Sequence, residues 1–153
     1  MLIYEQHKEE AGMRLYFGHP ITLYGKELET FLLTTIKEAF PDAVIVNPAD
    51  KEHGDGYERF KAETGNGMRY FEEEVLPSCN GGVFIAFRDG KWGAGVFKEL
   101  DFFHERGLSI WEIDVRGIIT VLDGPFEAIR SRTLSVPETR LRIRDGKGNP
   151  LPF

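Results

Sequence analysis

The chain has 153 residues, about one domain's worth, of which 41% are hydrophobic, 12% aromatic and 29% charged. That balance excludes a disordered or collagen-like chain and supplies enough apolar area for a packed core. Acidic residues (25) outnumber basic ones (19), for a net charge of −6 and a pI near 5.3, so the broad positive field that steers proteins onto nucleic acid is missing and no nucleic-acid partner is expected.

In chain order, residues 5–12 are polar and read as a loose lead-in to the first apolar segment, residues 14–17, a strand stopped by Gly18, His19 and Pro20. Residues 22–40 place Leu28, Phe31, Leu32, Thr35, Ile36 and Ala39 at spacings of three and four, which predicts a helix that Pro41 ends. Residues 43–46 are a β-branched apolar run stopped by Asn47 and Pro48, a buried strand. From Asp50 to Gly67 the chain is polar with four glycines and reads as a long surface excursion. Helical spacing returns over residues 68–79 (Met68, Phe71, Val75, Leu76, Cys79), and residues 82–87 are the most strand-like stretch of all.

Residues 92–106 read as a glycine loop followed by a helix whose buried face is Val96, Leu100 and Phe103, with Gly107 at its C-terminal cap. A strand follows over residues 108–113. Strand and helix thus alternate, which predicts a doubly wound α/β domain over residues 1–153, with a mostly parallel, Rossmann-like or flavodoxin-like sheet covered on both faces. Residues 118–122 are a candidate further strand. Ser135 and Glu138 form a capping-box pattern opening a short helix to about residue 144, and the tail 145–153 looks irregular.

The single cysteine, Cys79, cannot staple the fold, and no Cys-rich zinc spacing exists. Asp101 and His104 stand three apart without a third ligand, and His53 adds none, so neither a metal nor another cofactor is expected. No apolar run approaches the roughly 18 to 20 residues of a membrane span, and the N-terminus lacks the layout of a secretory signal, which predicts a cytoplasmic protein with no membrane partner.

In an open parallel sheet, ligands bind beyond the carboxyl ends of the strands. That singles out Gly18-His19-Pro20, the turn from Asn47 to Asp50, the loop from Arg88 to Gly95 with Gly93 in it, and Asp114. Gly93-Ala94-Gly95 before a helix can present free N–H groups to an anion, or serve only as a tight turn; the fuller dinucleotide and P-loop glycine patterns are absent. Glu99 sits beside the buried face of the same helix, where a carboxylate can act as a nucleophile, stabilise a sugar cation, or merely complement the helix N-terminus.

Tyr16-Phe17-Gly18 at a strand end, together with the stretch Gly93-Ala94-Gly95-Val96-Phe97-Lys98-Glu99-Leu100, resembles the nucleoside 2-deoxyribosyltransferases and the related deoxynucleoside monophosphate N-glycosidases. The resemblance covers roughly two thirds of the chain, with two extra residues between Gly95 and Glu99. It implies an enzyme of the N-glycosidic bond of a nucleoside or nucleotide, with Glu99 opposite the base and Tyr16 orienting it. Glu73, within Glu72-Glu73-Glu74, is the nearest counterpart of the family's second carboxylate, and Glu73 or Asp50 would protonate the departing base. His19 would contact the base or a phosphate, or be a solvent-facing loop histidine; Asn47 would read a base edge, or only make a turn.

Base transfer, hydrolysis, and an inactive nucleotide-binding or sensing module all fit these residues. So does a partner-binding subunit that uses Trp92, Phe102, Phe103 and Trp111 for assembly. Phe102, Phe103, Trp111 and the terminal Leu151, Pro152 and Phe153 exceed what one sheet readily hides, which predicts a two-fold homo-oligomer. The related transferases complete their sites with a neighbour's C-terminal residues, so residues 149–153 are expected to pack against a second subunit.

Overall fold

The computed structural model describes residues 12–153; the lead-in expected before Gly12 lies outside them. A five-stranded sheet in the order β2-β1-β3-β4-β5 organises the chain, built from β1 (Arg14–Gly18), β2 (Val44–Val46), β3 (Gly81–Phe84), β4 (Ser109–Ile113) and β5 (Ile119–Val121). The first four strands are mutually parallel and β5 returns antiparallel to β4, so the candidate strand exists as an edge hairpin. This is the doubly wound α/β arrangement, flavodoxin-like in its strand order. Because the chain leaves β1 toward β2 and leaves β3 toward β4, the switch in winding direction falls between β1 and β3.

Side chains alternate across the pleat, and each set builds one core. Leu15, Phe17, Val83, Ile85, Trp111 and Ile113 pack with Leu32 and Ile36 of helix α1 (Glu27–Ala39). Tyr16, Phe84 and Ile110 pack on the other face with Val96, Leu100 and Phe103 of helix α4 (Ala94–Glu105). α1 starts five residues later than its spacing implied, because residues 21–23 form a separate 3-10 turn (Ile21–Leu23). Gly107, at φ +66°, follows α4 where a left-handed cap belongs.

The polar stretch after Asp50 is not a loop. It is helix α2 (Lys51–Thr64), closed by Gly65 at φ +78°. Its glycines obscured it, and one of them has a packing reason: a Cβ on Gly56 would lie 2.3 Å from the Tyr70 ring. That ring is held by a hydrogen bond between Tyr70 Oη and His53 Nδ1 at 2.8 Å, within the same helix pair. Gly54, one turn-half away, faces open space. Gly54→Ala should therefore stabilise the chain by up to about 1 kcal/mol through helix propensity, while Gly56→Ala should destabilise it by about 1–3 kcal/mol through overpacking. Thermal midpoints of the two variants moving in the same direction would disprove this account of α2.

Residues 68–78 form one winding helical run: α3 (Met68–Tyr70), a π-helical turn (Phe71–Val75) and a 3-10 turn (Leu76–Ser78) that accommodates Pro77. After β5 come a short helix the periodicity did not reveal, α5 (Phe126–Arg130), and the C-terminal helix α6 (Val136–Ile143) with its capping box formed in both directions. Trp92 N–H donates to Arg132 O and Leu134 N–H to Trp92 O, both at 2.9 Å, so the segment between these helices runs beside the loop that precedes α4. α6 buries no residue of its own, yet Arg142 grips Asp89 with two hydrogen bonds of 2.7 and 3.1 Å.

One premise of the expected assembly is corrected, that large apolar groups exceed what one sheet hides. Trp92, Phe103 and Trp111 are core residues, Phe102 is partly buried, and one sheet does hide them. Within the tail, Phe153 stacks on Phe87 with ring centroids 6.2 Å apart, and Arg88 Nε donates to the Phe153 carbonyl at 3.1 Å. Among the described residues no helix is long and apolar enough to cross a membrane.

Candidate active site

Tyr16 comes from the middle of β1 and Glu99 from the second turn of α4, the helix that follows β3. The winding switch between β1 and β3 brings them together: Tyr16 Oη donates to Glu99 Oε2 at 2.5 Å. The two extra residues before Glu99 do not turn it away. Beside this pair lies a cavity of about 410 Å³, large enough for a small organic ligand. The loop after β1 supplies His19, Ile21 and Tyr24 to its wall; α4 supplies Gly95, Lys98 and Glu99; α6 supplies Val136, Thr139, Arg140 and Ile143. A second cavity of about 320 Å³ between α3 and α4 shares Glu99 and Lys98 with the first.

The surroundings change the chemistry of these groups. Glu99 shows part of its surface to the cavity, but protein encloses it so closely that loss of bulk water pushes its pKa up to about 8, with the Tyr16 hydrogen bond pulling the other way. Burial, and then the Glu99 charge, hold the Tyr16 phenol well above the usual phenol range. Tyr24 is raised for the same two reasons in the same order, with Glu29 adding a third contribution. Burial tends to raise Glu29, but the hydrogen bonds it accepts from His19 and the Gly25 N–H bring it below its ordinary value.

Several expected site residues take other posts. His19 is buried rather than solvent-facing: Nδ1 meets the Phe17 carbonyl at 2.8 Å and Nε2 meets Glu29 Oε2 at 2.7 Å, so the ring is a stacked wall with both nitrogens engaged. Glu73 is on the surface, paired with Arg69 at 2.5 Å, and does not line the cavity. Asp50 is exposed at the start of α2, also away from it. Asn47 makes the turn instead, its Oδ1 accepting the Ala49 N–H at 3.0 Å. Gly18 permits a close approach, since a Cβ there would lie 2.3 Å from the Phe84 ring. Gly93 and Gly95 do line the cavity, and Gly95 faces open space. Thr139 reaches across from α6 to accept the Ala94 N–H at 2.9 Å, which occupies the first donor of α4.

The sequence reading missed Tyr24, Lys98 and Arg140. Lys98 pairs with Glu72 at 2.6 Å. Arg140 has no ion-pair partner among the described residues, so the cavity lining carries an unpaired cation. The described residues hold no group of three or more His, Cys, Asp or Glu side chains arranged to bind a metal ion. Comparison of the chain with protein-family models, curated proteins and solved structures finds no match.

Proposed function

We propose that this protein breaks the N-glycosidic bond of a nucleoside or nucleotide, by transfer to another base or by hydrolysis, with Glu99 as the nucleophile. The observation that carries the reading is the Tyr16–Glu99 pair set in the wall of a ligand-sized cavity at the winding switch of the sheet. Departure of the base builds positive charge on the sugar, and a carboxylate on the opposite face stabilises that charge or captures it as a glycosyl ester. Enclosure strengthens the effect, because a charge poorly solvated in the resting state gains more from a developing cation. Tyr16 fixes one carboxylate oxygen and leaves the other to face the sugar.

Incubation with a panel of ribo- and deoxyribonucleosides and their monophosphates, followed by chromatography for free base, tests the proposal. Tyr16→Phe should lower kcat about ten- to a hundredfold with little change in KM, since the ring still packs while the hydrogen bond to Glu99 is lost. An unchanged rate would make Tyr16 a core residue only.

A second reading is favoured by the surface positions of Glu73 and Asp50, which leave the cavity without the expected second carboxylate. On that reading the chain binds a nucleotide without turning it over. Saturable binding with no release of base would select it.

A further inference from the structure

Glu73 and Asp50 do not line the cavity, so a proton for the departing base must come from another group in its wall. Most of its polar side chains are already engaged: Tyr16 with Glu99, His19 with Phe17 O and Glu29, Thr139 with Ala94 N–H and Ser135 O, Lys98 with Glu72. Arg140 and Tyr24 remain. A guanidinium does not give up a proton in a protein. Tyr24 has a hydroxyl with no hydrogen-bond partner among the described residues, and the fully enclosed side-chain atoms left without one are Thr22 Oγ1 and Trp92 Nε1, not Tyr24 Oη. That hydroxyl is therefore not fully enclosed, Tyr24 lines the cavity, and its ring is braced against His19 with centroids 4.9 Å apart.

We propose that Tyr24 is a second catalytic residue, the donor that protonates the departing base as the glycosidic bond breaks. The assignment rests on the N-glycosidic reading above. In the first step the C1′–N bond breaks and its electron pair stays on the base. The Tyr24 proton moves to the base, and an oxygen of ionised Glu99 bonds to C1′. Tyr24 is then a phenolate. In hydrolysis it takes a proton from water whose oxygen displaces Glu99 from C1′; in transfer it takes the proton of the incoming base.

The surroundings time the donation. Burial, then the negative charges of Glu99 and Glu29, hold the proton on Tyr24. Formation of the ester neutralises Glu99, so the phenol becomes more acidic as the base leaves. Tyr24 and Glu99 come from different walls, the loop after β1 and helix α4, and make no hydrogen bond to each other.

The test compares two leaving groups, the base of a 2-deoxynucleoside (or its 5′-monophosphate, whichever the panel identifies) and the nitrophenolate of 4-nitrophenyl 2-deoxyriboside, which departs without a proton. Tyr24→Phe should lose about a hundredfold in kcat on the nucleoside and stay within about threefold of the unaltered protein on the nitrophenyl glycoside. Glu99→Gln should lose both. Equal loss on both substrates, or loss on neither, overturns the Tyr24 assignment while leaving the nucleophile in place. Release of neither base nor nitrophenolate by the unaltered protein removes the assignment and the underlying reading together. Should Tyr24→Phe fail to fold, the unaltered protein decides: with a donor in place, its rate varies little across nucleosides whose bases differ in leaving-group pKa, and a steep dependence overturns the assignment.

Discussion

Glu99→Gln should reduce turnover at least about a thousandfold while the chain stays folded, because the lost charge facing a developing sugar cation is worth several kcal/mol. Gln is the sharper choice because it keeps the shape of the side chain and still accepts the Tyr16 hydrogen bond, so the fold is not asked to absorb a hole. Glu99→Ala leaves Tyr16 Oη without its partner and enlarges the cavity that Glu99 lines, adding a stability loss that confuses the reading. The thermal midpoint of Glu99→Gln should equal or exceed that of the unaltered protein above pH 8, where the enclosed carboxylate is charged and poorly solvated. Near-normal turnover in Glu99→Gln would remove the nucleophile and with it the proposed reaction.

How much of this was legible in the sequence depended on how local each signal was. The core strands and α1 and α4 could be read because apolar spacing is written into consecutive residues. α2 was missed although its signals were present: Glu52 in the first turn, Lys51 and Asp55 four apart, His53, Tyr57 and Phe60 on one face, Gly65 at the end. Gly54 and Gly56 outweighed them, and the reason for Gly56 lies in Tyr70, fourteen residues on. Glu99 was found through the short glycine stretch before it, and Tyr16 through the strand end that positions it. Arg140 and Thr139 left no such trace, because nothing near them in sequence says that α6 folds back over the start of α4. The spacing of residues 22–40 places Tyr24 in a longer helix, whereas the 3-10 turn at residues 21–23 sets it on the cavity wall. Glu73 stands as a second carboxylate only through the family resemblance, and in the structure it pairs with Arg69 on the surface.

The raised pKa of Glu99 gives two pH dependences with opposite signs. Catalysis needs the carboxylate, so kcat/KM should climb about tenfold per pH unit on the acid side and level off above about 8, where free Glu99 is ionised. Stability runs the other way. Glu99 is an acid whose pKa rises from 4.5 to about 8 on folding, so between those values the folded chain keeps a proton that the unfolded chain releases. Its contribution is fully favourable below pH 4.5, falls as the pH rises toward 8, and is flat beyond. Each pH unit in that window is worth about 1.4 kcal/mol, reduced where solvent in the cavity screens the charge. Urea midpoints measured from pH 4 to 9 in parallel on the unaltered protein and Glu99→Gln isolate this contribution, because the variant keeps every other titrating group. The difference between the two curves should widen with pH in favour of Glu99→Gln and stop widening near pH 8. Tyr16→Phe should carry both breaks to higher pH, since it removes the hydrogen bond that holds Glu99 down. A pH-independent difference would mean that Glu99 is solvated like a surface carboxylate, and the enclosure on which its reactivity depends would be gone.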